Sequence, residues 1–391
     1  NFATESIEQI FNGNVDFGGT AKATVSRHGD LVKDMILVLR LPRIPTDDKR
    51  TWVNAVGHRC VEYVSLSIGG KEIDRLTGEW LQIHSALTMT RAQQDTYAEM
   101  VGYSNAYIFP ENKVTDETVY YVPLPFWFVK ETGAALPLVS LQYHDIQVTV
   151  KFRSYDACWI PFQEGGATTA TTATNPHLVK ASLYCEYVFL DKPERKWFAQ
   201  NTHRYLIEQH QYLGAQQVSG FVQDVPLRFN HPCKELIWYF SNDSTDDDKK
   251  NDWLNWSLAK SDDDDSQGAV PNTWAPYLDQ SPLMDTAVLW INGNERVQER
   301  DERYYRWVHP FRTHTNCNPH LPIYTYPFSL FPEKLQPSGC LNFSMVDNAF
   351  LRFAYRQTHP AANASKSVHT FAVNYNVLVV TQGMGGVAYT V

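Results

Sequence analysis

Alternation of apolar and polar residues dominates this chain. Ile146-Gln-Val-Thr-Val-Lys-Phe152 alternates without a fault, and Val64-Ser-Leu-Ser-Ile68 does so nearly as cleanly. Successive side chains on a strand point to opposite faces, so each run predicts a half-buried strand. Many such runs, broken by Pro, Gly and Asn clusters, predict an all-β sandwich rather than a parallel sheet with interleaved helices. Gly69-Gly70 and Asn292-Gly293 supply the positive φ of tight hairpins. Helical signals are few. Trp80, Ile83 and Leu87 recur at helical spacing in a stretch that runs through Met100 with few β-branched residues. A second helix is expected over Asp191–Gln200, with Asp191 as N-cap, Pro193 in the first turn and Glu194 three residues beyond the cap.

The chain also repeats itself. Leu66-Ser-Ile-Gly-Gly-Lys-Glu72 returns as Leu289-Trp-Ile-Asn-Gly-Asn-Glu295, and Lys33-Asp-Met-Ile-Leu-Val-Leu39 as Lys234-Glu-Leu-Ile-Trp-Tyr-Phe240. Pro125-Phe126 stands as far before Asp145 as Pro327-Phe328 stands before Asp347, which is the strongest single match. Leu183–Phe189 and Val373–Val379 share a weaker, largely alternating pattern. Matches in the same order at nearby offsets mark a duplication. Because a one-residue slip turns every later side chain to the other face, the kept interval predicts that Phe126 and Phe328 are equivalent core residues. Asp145 and Asp347 are then equivalent residues at strand starts. The offset changes where residues 241–286 face only 40–63, so an insertion in the second half is expected to form an outward, mobile loop carrying the acidic runs. The halves divide near residue 197, within the predicted helical connector.

With 391 residues, 43% of them hydrophobic, the chain can fill two cores of ordinary domain size. Its 11 Trp, 21 Tyr and 20 Phe suit large sheets or interfaces, which these side chains stabilise by the area they bury. A net charge of −9 argues against a nucleic-acid surface, which needs clustered Lys and Arg to displace counterions. No apolar run approaches the length needed to span a bilayer, and the chain starts at Asn1 without a signal-like segment, so we expect a soluble protein trimmed at its N-terminus. The six cysteines contain no CxxC pair and do not read as a disulfide framework; Cys185 and Cys233 lie in apolar strand patterns as reduced core thiols.

Catalytic and metal chemistry is not legible. Asp246–Asp248 and Asp262–Asp265 match no calcium loop and read as a solvated surface. His309, His314, Cys317 and His320 fit no standard zinc spacing. Gly383-Met-Gly-Gly386 lacks the Lys-Ser/Thr of a phosphate loop, no G-x-S-x-G elbow occurs, and His144 and Asp145, adjacent on a strand, point to opposite faces. We therefore expect no catalytic residues, no metal and no cofactor. Of four N-x-S/T sequons, Asn242, Asn255 and Asn363 are possible glycosylation sites, while Asn342 lies in a strand-like run.

Several segments have a familiar cast: Asn1-Phe-Ala-Thr-Glu-Ser-Ile-Glu-Gln-Ile10, His28-Gly-Asp-Leu31, Pro123-Leu-Pro-Phe-Trp-Phe128, Ala135–Asp145, Gln336-Pro-Ser-Gly339, Asn374-Tyr-Asn-Val-Leu378 and Gly383–Gly386. Over nearly its whole length the chain resembles the major capsid proteins of nucleocytoplasmic large DNA viruses, most of all the algal-virus and giant-virus branches. The resemblance implies an all-β double jelly roll, two consecutive eight-stranded sandwiches (1–197 and 198–391) with few short helices. It implies a structural virion protein and no enzyme, whose trimers of near-hexagonal outline tile an icosahedral shell assembled in the host cytoplasm. Its partners would be two further copies, neighbouring capsomers and minor capsid proteins, with no direct nucleic-acid contact. Family members usually carry a segment ahead of the Asn-Phe-Ala match that this sequence lacks. The competing reading is a carbohydrate-binding or glycan-processing β-sandwich, which would expose Trp253 and Trp256 as sugar platforms.

Overall fold

The computed structural model describes residues 2–44, 50–103, 116–161, 176–242, 253–254, 256, 282–317, 321–356 and 366–389. In the first half, eight main strands are β1 (Phe2–Ile10), β2 (Thr20–Thr24), β3 (Leu31–Leu41), β4 (Val61–Ile68), β5 (Lys71–Thr77), β6 (Thr118–Pro123), β7 (Ile146–Phe152) and β8 (Lys180–Leu190). The second half repeats them as β9 (His203–Val218), β10 (Val222–Pro226), β11 (Pro232–Asn242), β12 (Met284–Ile291), β13 (Asn294–Asp301), β14 (Tyr324–Pro327), β15 (Ala349–Tyr355) and β16 (Lys366–Thr381).

One sheet of the first half runs β1-β8-β3-β6 and the other β2-β7-β4-β5; the second half runs β9-β16-β11-β14 and β10-β15-β12-β13. The order is the same in both, strand for strand. This is the double jelly roll. The helices are short and lie in the connections: α1 (Val56–Arg59), α2 (Gly78–Thr88), α3 (Arg91–Val101), α4 (Trp127–Lys130), α5 (Lys192–Gln200) and α6 (His309–Thr313). Helix α5 has Asp191 at its N-cap position and Pro in its first turn, and the Asp191 side chain makes no capping bond.

The duplication reaches the level of hydrogen-bond register. Ile36 on β3 faces Pro123, and Leu37 faces Val122; in the second half Ile237 faces Thr325 and Trp238 faces Tyr324. Each second-half pair is the counterpart of a first-half pair under the repeat. Both hairpins, β4–β5 and β12–β13, turn on two positive-φ residues, Gly69-Gly70 and Asn292-Gly293. Both then carry a bulge at the same place, between Leu66 and Ser67 and between Leu289 and Trp290.

Register also corrects two of the sequence matches. Ile68 faces Ile146 while its counterpart Ile291 faces Ala349, so the residue standing where Asp145 stands is Asn348 and Asp347 lies one position earlier. Backbone bonds agree, because Gly69 N–H donates to the Asp145 carbonyl at 2.9 Å and Asn292 N–H to the Asn348 carbonyl at 2.8 Å. A single extra residue in the connection after β14 is absorbed there. The last match slips further: Asp34 faces Glu186 and its counterpart Glu235 faces Val373, so Val373 corresponds to Glu186 rather than to Leu183.

The two sandwiches do not pack alike. Strand β7 shows strict alternation of buried and half-buried residues, as expected of a sheet with one face on a core. Residues Leu236–Phe240 of β11 are buried without a break. Leu236, Trp238 and Phe240 enter the second core, whereas Ile237 and Tyr239 point the other way and join the first core together with Phe371, Val373 and Ile323. Sheet β9-β16-β11-β14 is therefore covered on both faces, and its outer face is the floor on which the first half rests. That is why the Leu236–Phe240 run is continuously apolar where β7 alternates.

Candidate functional site

Among the described residues, the junction between the halves brings several buried charged groups together. Lys130, on α4 of the first half, donates to Glu208 of β9 at 2.6 Å, and Lys234 of β11 donates to the other carboxylate oxygen. Glu208 and Lys234 are buried, and the Lys130 side chain is mostly so. Burial alone would raise the Glu208 pKa, yet the two ammonium groups hold it below the ordinary carboxylate range. Lys130 is raised because attraction to Glu208 outweighs its own burial. Lys234 is lowered, by burial first and by repulsion from Lys130 second. Beside this trio, Glu235 accepts from His314 Nε2 at 3.1 Å and is likewise held low against its burial.

A second set of contacts ties the edge of β5 to β9. The carboxylate of Asp74 accepts from the His210 backbone N–H and from its Nδ1–H, each at 2.9 Å. Gln209 Nε2 donates to the Ile73 carbonyl. Trp80 of α2 closes over this point, with its ring 4.6 Å from that of His210 and 5.6 Å from that of Phe371. Each charged group here has its partner, which is what keeps buried charges tolerable. The arrangement fixes two domains against each other.

Placed in the structure, the chemical candidates disperse. His309 packs between Tyr304 and Tyr326, His314 is bound to Glu235, and Cys317 Sγ donates weakly to the Arg306 carbonyl; His320 lies outside the described residues. Among the described residues no group of His, Cys, Asp and Glu could hold a metal ion. Cys185 and Cys233 are buried free thiols whose pKa burial pushes up. Asn242 ends β11, and Asn255 and Asn363 lie outside the described residues, as do both acidic runs.

Pro125 and Phe126 are buried just after β6, whereas Pro327 and Phe328, at the end of β14 and just beyond it, are half-buried. Phe126 stacks on Phe128, and Phe328 packs edge-on to Tyr326 and Phe343. Asp145 and Asp347 are both exposed at the starts of β7 and β15.

Most of the insertion lies outside the described residues, and the part that is described departs from the expected outward loop. Leu254 and Trp256 are almost fully buried in the first core, Trp256 stacks on Tyr239 at 4.4 Å, and Trp253 Nε1 donates to the Asn54 carbonyl at 2.9 Å. Trp256 is thereby withdrawn from any role as a sugar platform, and Trp253 is half-buried with its indole N–H taken. The described part of the loop is an anchor, because three large apolar side chains gain more from burial than the flanking charges gain from water. The signal was present in sequence as a Trp-Leu-Asn-Trp cluster between the acidic runs.

Comparison with known proteins agrees with this architecture. The family model for the major capsid protein N-terminus matches residues 1–191, and that for the large eukaryotic DNA virus major capsid protein matches 194–386. The chain is 32% identical to the major capsid protein of Phaeocystis pouchetii virus, covering 100% of this chain and 93% of that protein. It is also 32% identical to that of Paramecium bursaria Chlorella virus 1, covering 100% and 92%. The chain belongs to the major capsid proteins of large eukaryotic DNA viruses. Its fold matches a chain of the PBCV-1 virus capsid quasi-atomic model with a TM-score of 0.82 at 29% identity, covering 100% of this chain and 97% of that one. The Faustovirus major capsid protein shares the fold at 13% identity, with a TM-score of 0.73 over 97% and 91% of the two chains. This capsid protein is thus a structural component of the virion shell and not an enzyme. No helix among the described residues is long and apolar enough to cross a membrane.

Proposed function

We propose that three copies of this major capsid protein form a capsomer of near-hexagonal outline that tiles an icosahedral shell. The observation that carries this reading is the repeat itself: two sandwiches with one strand order and one pairing register in each chain. Two similar units per chain and three chains around one axis give six similar units, the shape that packs a plane. We take residue 197, within α5, as the division between units 1–197 and 198–391. On the same reading the pairs Pro125-Phe126 and Pro327-Phe328 occupy equivalent places, as do Asp145 and Asp347 to within the one-residue slip. Asn242, Asn255 and Asn363 are the candidate glycosylation sites, and neighbouring capsomers and minor capsid proteins are the partners of a shell assembled in the host cytoplasm, without direct contact to nucleic acid.

The test is the state of the purified protein in native buffer. Light scattering at micromolar concentration should give the mass of three chains, and class-averaged electron micrographs a three-fold particle with a hexagonal rim. A monomer or dimer would overturn the capsomer reading.

A further inference from the structure

Two buried cysteines are brought together where one sheet of the first half ends. Phe152, the last residue of β7, pairs with Val61, the first of β4, and Arg153 N–H donates to the Cys60 carbonyl at 2.8 Å. The chain then makes a short 3-10 turn, Tyr155–Ala157, that folds back over the same point. Arg59 Nε donates to the Ala157 carbonyl at 3.1 Å, and Val53 N–H to the Cys158 carbonyl at 3.0 Å. Tyr155 holds the turn down, packing edge-on against Phe17 and Trp52 with ring centroids 5.4 Å and 5.9 Å away. Backbone bonds thus fix the residues beside Cys60 and Cys158, although most of the first sandwich lies between them in sequence.

The two thiols meet. Cys158 Sγ donates weakly to the Ser154 carbonyl at 3.5 Å, which leaves its lone pairs to accept from Cys60, and the two side chains are hydrogen-bond partners. Both residues are fully buried. The bond to Cys158 and then burial push the Cys60 pKa well up, while the Arg59 and Arg153 guanidinium groups act against that rise. Among the described residues no cluster of three or more metal-ligating side chains forms, so the pair is not part of a metal site. Cys233, by contrast, spends its thiol on the Asn230 and His231 carbonyls.

We propose that Cys60 and Cys158 close into a disulfide when the protein meets a low-molecular-weight disulfide such as oxidised glutathione, and stand as thiols while the surroundings are reducing. One thiolate attacks a sulfur of the small disulfide, forming a mixed disulfide and releasing one small thiol; the second attacks the protein sulfur of that intermediate and releases the other. One S–S bond forms in the protein, one breaks in the oxidant, and both protons leave on the released thiols. Because the two sulfurs are closed off, exchange proceeds through local opening of the Tyr155–Ala157 turn. The closed bond ties the start of β4 to the turn after β7. It encloses the stretch that carries Trp80 and Lys130, with which the first half grips His210 and Glu208. A cross-link across so long a loop stabilises chiefly by restricting the unfolded chain. Reducing compartments keep such pairs open and oxidising ones close them, so the protein hardens on leaving the first for the second. The inference is independent of the capsomer reading.

The purified protein is equilibrated in native buffer with oxidised glutathione and, in parallel, with dithiothreitol, then unfolded, alkylated and mapped by mass spectrometry. The oxidised sample should carry two fewer alkylated thiols, lose the mass of two hydrogens and yield a peptide pair joined through Cys60 and Cys158. Its thermal midpoint should exceed that of the reduced sample by roughly 5 °C, a gap that Cys60→Ala and Cys158→Ala should each abolish. Urea below the unfolding transition should speed the closure, as an opening step requires. A folded protein that keeps all six thiols alkylatable after equilibration overturns the inference, as does a bond formed through the exposed Cys340 instead. A Cys60–Cys158 bond that leaves the midpoint where it was overturns the stabilising role. Each of these outcomes is read on the wild-type protein, so a variant that fails to fold does not blur them.

Discussion

Trp256 lies flat on Tyr239, ring centroids 4.4 Å apart, so this residue of the second half's insertion is pinned to the outer face of its own sheet. Its indole N–H donates to the Trp253 carbonyl, and the Arg59 guanidinium sits 5.5 Å from the Trp253 ring, which brings the first half into the same contact. We expect Trp256→Ala to destabilise the protein by about 3–5 kcal/mol, the usual cost of emptying a buried aromatic site. Urea denaturation of the purified protein measures it. A loss under roughly 1 kcal/mol would mean that the site collapses or that the loop is dispensable.

What the sequence made legible, and what it hid, follows from the range of the interactions. Strands, hairpins and the duplication are written locally: the fault-free alternation of Ile146–Phe152 and the Gly69-Gly70 and Asn292-Gly293 turns are each readable within a few residues. The unbroken apolar run Leu236–Phe240 is local too, whereas the residues that cover its second face are distant in the chain. Pairings such as Lys130 with Glu208 or Trp253 with Asn54 join residues far apart in the chain, and no local pattern marks either partner. In the insertion the acidic runs favour water and the Trp cluster between them favours burial, a conflict that no local pattern decides, and the one-residue slip at Asp347 sits in a connection where length varies at little cost.

The duplicated aromatics give a graded pair. Phe126 is fully buried and Phe328 half-buried. Phe126→Ala should cost about 3–5 kcal/mol and Phe328→Ala roughly 1.5–3 kcal/mol, in proportion to the area each withdraws from water. The ratio is checked by equilibrium unfolding of the two variants under one set of conditions. Equal losses would place Phe328 in a contact that only the assembled capsomer completes.

The Lys130–Glu208–Lys234 trio should behave as one unit. Glu208→Gln leaves two ammonium groups facing each other without a counter-charge and should cost about 3–5 kcal/mol, as expected when one partner of a buried ion pair is removed. Replacing all three with Met, Leu and Met should cost far less than the sum of the single changes, since desolvation of three charged groups is removed along with their attraction. Thermal melts of the single and triple variants decide it. Additive losses would show that the three groups act independently.

Acid should weaken the protein in two stages. His58 is fully buried, with Nδ1 2.9 Å from Gln82 Oε1 and Nε2 2.7 Å from Tyr97 Oη, which satisfies a neutral ring donating from Nδ1 and accepting at Nε2. Burial lowers its pKa to about 4 against an ordinary 6.5, and His309 is lowered to about 4 in the same way. A lowered histidine pKa means that the unfolded chain binds the proton more tightly, so the stability from each ring is complete above pH 6.5 and declines as the pH falls towards 4. For His58 the full loss is on the order of 3 kcal/mol. Glu208 and Glu235 are also lowered, and as carboxylates they give stability that is present above the unfolded value of about 4.3 and lost as the pH falls through their folded values. The first stage therefore belongs to the histidines and the second to the junction. Urea midpoints measured from pH 8 down to pH 4 should fall below pH 6.5, and His58→Gln should flatten that fall while lowering the midpoint at pH 8. An unchanged slope in the variant between pH 6.5 and 4 would remove His58 as a source of the acid sensitivity.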